Sequence, residues 1–169
     1  MDGELVDFTG GRGYIEKDWG QSFPEAYIWF QTNHFDSPAT CLTASVAIIP
    51  SFGTTFPGFI VGLWLGGRLY RFATYTGTKL EKLTVSDAEV FWVLSDGTYR
   101  LEMRAQRAAG GLLKGPGKLD MGKRVDETLQ ASVDVRLTNK RSGAVIFEST
   151  GHHAGLEVFN HEKLLKMVK

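Results

Sequence analysis

Short β-prone runs recur along this chain at intervals of roughly 8–12 residues, most of them closed by a glycine-bearing turn, and that rhythm leaves few folds open. Residues 59–65 and 68–75 flank Gly66-Gly67, and residues 90–94 and 98–107 are joined across Asp96-Gly97. Both junctions suit tight hairpins, because glycine and aspartate accept the positive φ that such turns require. Residues 128–138 alternate: Leu129, Ala131, Val133, Val135 and Leu137 share one face, and Gln130, Ser132, Asp134, Arg136 and Thr138 share the other. Period-two alternation predicts a half-buried strand. Residues 4–8, 14–19, 26–35, 40–49 and 144–149 read as further strands, with 79–85 and 154–159 as weaker candidates. The reading is about ten strands in an antiparallel barrel or half-open sandwich. No helices alternate with the strands, which excludes a parallel α/β sheet. Residues 161–168 are the one convincing helix, with Leu164, Leu165 and Val168 on one side. Residues 108–126 have little periodicity and read as a long surface loop or lid.

A chain of 169 residues suits a single domain spanning 1–169, large enough to bury a core without staples. Nineteen basic and nineteen acidic residues cancel to a formal net charge of zero. That balance argues against a nucleic-acid partner, which calls for a basic excess. It also removes charge repulsion between copies, so self-association is open. The lone cysteine, Cys41, cannot form an internal disulfide and reads as a small buried hydrophobe. The N-terminus shows no signal-peptide pattern, and no apolar run reaches the ~20 residues of a membrane span. The expectation is a soluble, cytoplasmic protein.

The densest chemistry lies between Gly13 and Phe35. In strand geometry Tyr14, Glu16 and Asp18 share a face. If that face points into a barrel, two carboxyls meet in a low-dielectric site and one tends to keep its proton. If it points outward, Glu16 and Asp18 are solvated charges paired with Lys17 or Arg12. On the next strand Tyr27, Trp29, Gln31 and Asn33 share a face running from aromatic to amide. That suits either a pocket with a few orienting polar groups or a core edge with cross-strand hydrogen bonds. Glu157 sits inside the apolar run Gly155-Leu156-Glu157-Val158-Phe159, where an acid is unusual unless paired or functional. His152 and His153 are adjacent and point opposite ways in a strand, so no metal site is expected. The glycine-rich Gly10-Gly11-Arg12-Gly13 lacks the context of a phosphate cradle, and no G-x-S-x-G elbow occurs.

The run Glu16-Lys17-Asp18-Trp19-Gly20, then Phe23-Pro24, then Trp29, Gln31 and Asn33, resembles the signature of the tocopherol cyclase-like family. The order of the later strands follows that family more loosely, so the resemblance spans nearly the whole chain. It implies a lipocalin- or calycin-like fold and corresponds to the C-terminal half of family members, which typically carry another lipocalin-like half before it. Plant members close a chromanol ring: the double bond of a prenylated hydroquinone is protonated and the phenol oxygen attacks the tertiary cation. No cofactor is implied. The chemistry needs a general acid beside an apolar tunnel walled by aromatic faces. On this resemblance Asp18 or Glu16 is the expected acid. Gln31 and Asn33 are expected to bind the ring hydroxyls and Trp19 and Trp29 to form the wall, with Tyr27 a further candidate part of the substrate site; Glu157, by its place in the apolar run, is a candidate for the cavity. Lys17 and Asp18 as a salt bridge locking the strand start is the alternative for that pair. The partner is then a small hydrophobic ligand, a prenylated aromatic or isoprenoid. The rival readings are a non-catalytic carrier for such a ligand, and a structural domain that pairs with an N-terminal half.

Overall fold

The computed structural model describes residues 2–17, 23–115 and 123–168. Ten strands follow in chain order: β1 (Tyr27–Thr32), β2 (Thr40–Ser51), β3 (Thr54–Leu65), β4 (Arg68–Ala73), β5 (Lys79–Val85), β6 (Glu89–Ser95), β7 (Tyr99–Gln106), β8 (Gly111–Gly115), β9 (Lys123–Asn139) and β10 (Val145–Phe159). One short helix, α1 (His161–Leu165), ends the fold and seats Leu164 in the core. The strands form one antiparallel sheet in the order β4-β3-β2-β1-β10-β9-β7-β6-β5, with β8 pairing outside this path on β9.

The sheet curls until its two ends share a core. Phe30 of β1 and Phe59 of β3 both meet Trp92 of β6 edge-on, at ring separations of 6.1 and 6.2 Å. Tyr70 of β4 meets Tyr99 of β7 at 5.2 Å, and Arg68 donates to the Tyr99 hydroxyl at 2.7 Å. β4 and β7 are six places apart in the strand order, so only a strongly curved sheet brings them together. The result is a half-barrel. Its inner face is filled by Ile28, Phe30, Val46, Phe72, Trp92, Leu94, Met103 and Leu137, all essentially inaccessible. First and last strands pair, so the opening lies in mid-chain, where a 3-10 turn at Thr74–Thr76 joins β4 to β5.

Several local expectations change. Residues 4–8 and 14–17 form no strand. Both edges of β1 are already taken, by β2 and β10, so this segment has no ladder to join there. Within the loop expected at 108–126, residues 111–115 and 123–126 are instead antiparallel strand, with Leu112 opposite Asp126 and Leu113 opposite Val125. The strands expected at 144–149 and 154–159 are one strand, β10, carrying an extra residue where Gly151–Ala154 oppose Val133–Ala131. His153 takes a φ of 47° at that bulge. Alternation in β9 breaks as well. Ala131 pairs with Ala154 but Thr128 pairs with Leu156, so β9 holds one residue too many. Thr128 then takes the buried side and Leu129, expected inside, is 67% exposed. A one-residue bulge inverts every side chain beyond it.

Candidate functional site

The inner face of β1 is spent on the core, and its outer face carries Tyr27, Trp29 and Gln31. Directly opposed residues in an antiparallel ladder share a face. Trp29 is opposed by Glu157 on β10 and Ser45 on β2; Tyr27 by Phe159 and Ala47; Gln31 by Gly155 and Thr43. The aromatic-to-amide face therefore lies outside the curl, not in a barrel lumen. Its floor is made of small residues. A Cβ on Gly155 would stand 2.9 Å from Trp29 Cζ3, so the indole rests on bare backbone there. Tyr27, Ala47 and Val125 form a second, smaller apolar cluster on this face, with Trp29, Ile49 and Phe159 against it. Tyr27 packs at 5.9 Å from Phe23 and 5.8 Å from Phe159, and Tyr14 lies 6.5 Å from Trp29.

Residues 12–16 lie against this face and are tied down by side chains. Glu16 Oε2 accepts from Trp29 Nε1 at 3.2 Å and from the Tyr14 hydroxyl. That hydroxyl also lies 3.2 Å from Thr43 Oγ1. Arg12 donates to the Asn33 carbonyl at 3.0 Å, and Asn33 Nδ2 donates to the Gly13 carbonyl at 3.2 Å. Glu16 is exposed. Asp18 and Trp19, the other two expected site residues of this segment, lie outside the described residues.

A second acidic group stands on the same face. The Tyr27 hydroxyl donates to Glu157 Oε2 at 2.7 Å, and Glu157 is opposed across the β10–β9 ladder by Glu127. Both glutamates are half-buried. Burial, then the hydrogen bond to Glu157, then the charges of Glu157 and Glu127 raise the Tyr27 hydroxyl far above the ordinary phenol range, so it stays a donor. Burial first, and the Glu157 charge second, push the Glu127 carboxyl up from its ordinary value. Glu127 was not among the residues singled out from sequence. The bulge in β9 is what turns it to this face: uninterrupted alternation from Ala131 would have sent it to the core side.

Gln31 is only 8% exposed, and its Nε2 has no hydrogen-bond partner among the described residues. A buried amide nitrogen without an acceptor costs about 1–3 kcal/mol and calls for an explanation. Beside β1 the outer face continues into an open apolar groove of about 380 Å³ along β2 and β3, lined by Ser45, Ala47, Ile49, Phe56, Ile60 and Tyr75. Among the described residues, no group of three or more His, Cys, Asp or Glu side chains is placed to hold a metal ion. No helix among them is long and apolar enough to cross a membrane.

What the arrangement offers chemically is an aromatic wall, two opposed carboxyls with a phenol donor, an unpaired amide donor and an apolar groove. The model of the tocopherol cyclase-like family matches residues 1–159. Over 169 aligned residues the chain is 27% identical to the chloroplastic tocopherol cyclase of Zea mays and to the chloroplastic probable tocopherol cyclase of Oryza sativa subsp. japonica. Each alignment covers 93% of this chain and 35% of the relative, so the chain spans about a third of their length. No solved structure gives a significant match. With the family model covering nearly the whole fold, the chain belongs to the tocopherol cyclase-like family.

Proposed function

We propose that this protein binds a prenylated aromatic or related isoprenoid on the outer face of its half-barrel and cyclises it by alkene protonation. The observation that carries the reading is Gln31: a buried amide donor with no acceptor among the described residues, set among Tyr27, Trp29 and the small floor residues. A phenol or quinol oxygen is the kind of acceptor that would satisfy it without adding charge. Family membership and the names of the two plant relatives support the substrate class. The apolar groove along β2 and β3 suits the prenyl tail: it begins at Ser45 and Ala47, which oppose Trp29 and Tyr27.

In this reading Tyr27 and Trp29 face the reacting double bond, where π-clouds lower the energy of a developing tertiary cation. Gln31 orients the ring oxygen, while Asn33 and Glu16 hold the N-terminal segment and the indole in place. The proton comes from a carboxyl, with Asp18 and Glu16 as the candidates from the signature and Glu127 and Glu157, both on this face, as those from the fold. No redox change occurs, since the product is an isomer of the substrate.

The test is chromatography of purified protein incubated with a prenylated hydroquinone. An isomer of equal mass and shifted retention, reduced when Gln31 is replaced by Leu, is the expected result. Tight binding with no isomer would replace the cyclase reading by that of a carrier. Neither binding nor isomer would remove both. The structural-domain reading draws on a different observation, the exposure of Phe56, Ile60, Trp64 and Leu69 on β3 and β4. It expects these side chains to lose accessibility only when the remaining length of a family member is supplied.

A further inference from the structure

Two carboxyls opposed on neighbouring strands, with Cβ atoms typically about 4.5–5.5 Å apart, cannot both be charged cheaply. Glu157 already accepts from the Tyr27 hydroxyl at 2.7 Å, so one of its oxygens is committed to that donor. Glu127 has no such donor in the described structure and faces the charge of Glu157. From this arrangement we infer that Glu127, set directly against Glu157 on the outer face, is the acid that delivers a proton to the isoprenoid double bond. The role rests on the cyclase reading above and names its proton source.

Three features make the pair more than an acidic patch. Gln31, on the same face and one residue pair along from Trp29 and Glu157, keeps a buried donor open for a ligand oxygen. Trp29 lies between Glu157 and Ser45 in register, so a double bond over the indole is flanked by the acid pair on one side and the groove on the other. The bulge that turns Glu127 outward spends an extra residue of β9 on that placement, and bulges of this kind gather beside functional sites.

The step balances without a co-reactant. The alkene π pair takes the Glu127 proton, forming a C–H bond and leaving a tertiary cation, while the O–H electrons remain on the carboxylate. A lone pair of the phenol oxygen then closes the C–O bond. The phenol proton passes to the Glu127 carboxylate and restores the acid. Glu16, which accepts from the Trp29 indole, is by this account a positioning residue.

The experiment compares wild type, Glu127→Gln, Glu127→Asp, Glu157→Gln and Glu16→Gln. Isomer formation from a prenylated hydroquinone is read beside quenching of tryptophan fluorescence by the same quinol, with far-UV circular dichroism as the folding check. Glu127→Gln is expected to bind within about 3-fold of wild type and to lose at least about 100-fold in rate. Glu127→Asp should keep part of the rate. Glu157→Gln removes the neighbouring charge and should move the alkaline limb of the rate profile to lower pH. The groups facing Glu127 in that profile are Tyr27 from β1 and Glu157 from β10, β8 offering only Gly111 opposite it; Asp126 pairs with Arg107 at 3.7 Å. A Glu127→Gln enzyme that keeps its rate while Glu16→Gln loses it would overturn the assignment and leave the cyclase reading standing. No isomer from wild type would overturn both.

Discussion

The residue that most separates a ligand-binding account from a purely structural one is Gln31. Most buried amides kept for a fold are hydrogen-bonded; this one leaves Nε2 without an acceptor among the described residues. Replacing it with Met, of similar length and no polar group, removes an unmet donor. Thermal unfolding of Gln31→Met is therefore expected at or above the wild-type midpoint, while quinol affinity falls about 5–10-fold, the worth of one hydrogen bond. A variant destabilised by more than about 1 kcal/mol would mean that Gln31 serves the fold. Glu127 gives a second residue-scale expectation. Its carboxyl is raised in the folded state by burial and by Glu157. Its contribution to stability is thus fully present below the ordinary glutamate value of about 4.3 and is lost as pH rises through the raised folded value. Urea unfolding across that range should show wild type losing stability relative to Glu127→Gln as pH rises. Parallel curves would remove the coupling. Glu81 runs the other way, lowered chiefly by a hydrogen bond with Ser95, which is why the comparison must be made against the Gln variant.

At the scale of elements, alternation made some of the site legible and hid the rest. Tyr27, Trp29 and Gln31 do share a face, because β1 is regular and paired on both sides. Glu157 stood out as an acid in an apolar run, and it proves half-buried with a phenol donor. Glu127 was not legible: period-two reasoning carries no signal for an inserted residue, and the β9 bulge inverts the pattern between Ala131 and Thr128. Nor did the runs at 4–8 and 14–17 reveal that they form no strand, since strand propensity says what a segment tolerates and not which edges are free. Gly155 is the element-scale lever on the site. A methyl there meets Trp29 Cζ3 at 2.9 Å and Cη2 at 3.1 Å. Gly155→Ala is expected to displace the indole, weaken quinol binding and cost about 1–3 kcal/mol. Equal affinity and an unchanged Trp29 fluorescence environment would show that the indole can shift at no cost to the site.

For the whole molecule, the curled sheet divides labour between its two faces. The regular spacing of strands announced the antiparallel barrel-like architecture, and Leu164, Leu165 and Val168 on one side announced its short helix. It gave no hint that the aromatic face would lie outside the curl, because alternation fixes which residues go together and not which set faces the core. The inner face is committed to stability. Trp92 is fully buried between Phe30 and Phe59, and Trp92→Ala is expected to cost about 3–5 kcal/mol in unfolding experiments. Wherever the variant remains folded, its quinol affinity should match wild type. Loss of affinity in a folded Trp92 variant would place the ligand inside.

Whether the ligand sits on the outer face can be read from two indole protons. Trp29 stands on that face beside Glu16, and Trp92 sits at the heart of the inner core. With the Nε1–H resonances of the four tryptophans assigned by single Phe substitutions, a prenylated hydroquinone is titrated into the labelled protein. With the ligand on the outer face, the Trp29 resonance shifts to saturation and that of Trp92 stays unmoved. A shift at Trp92 without one at Trp29 would contradict that placement and return the ligand to the interior of the barrel.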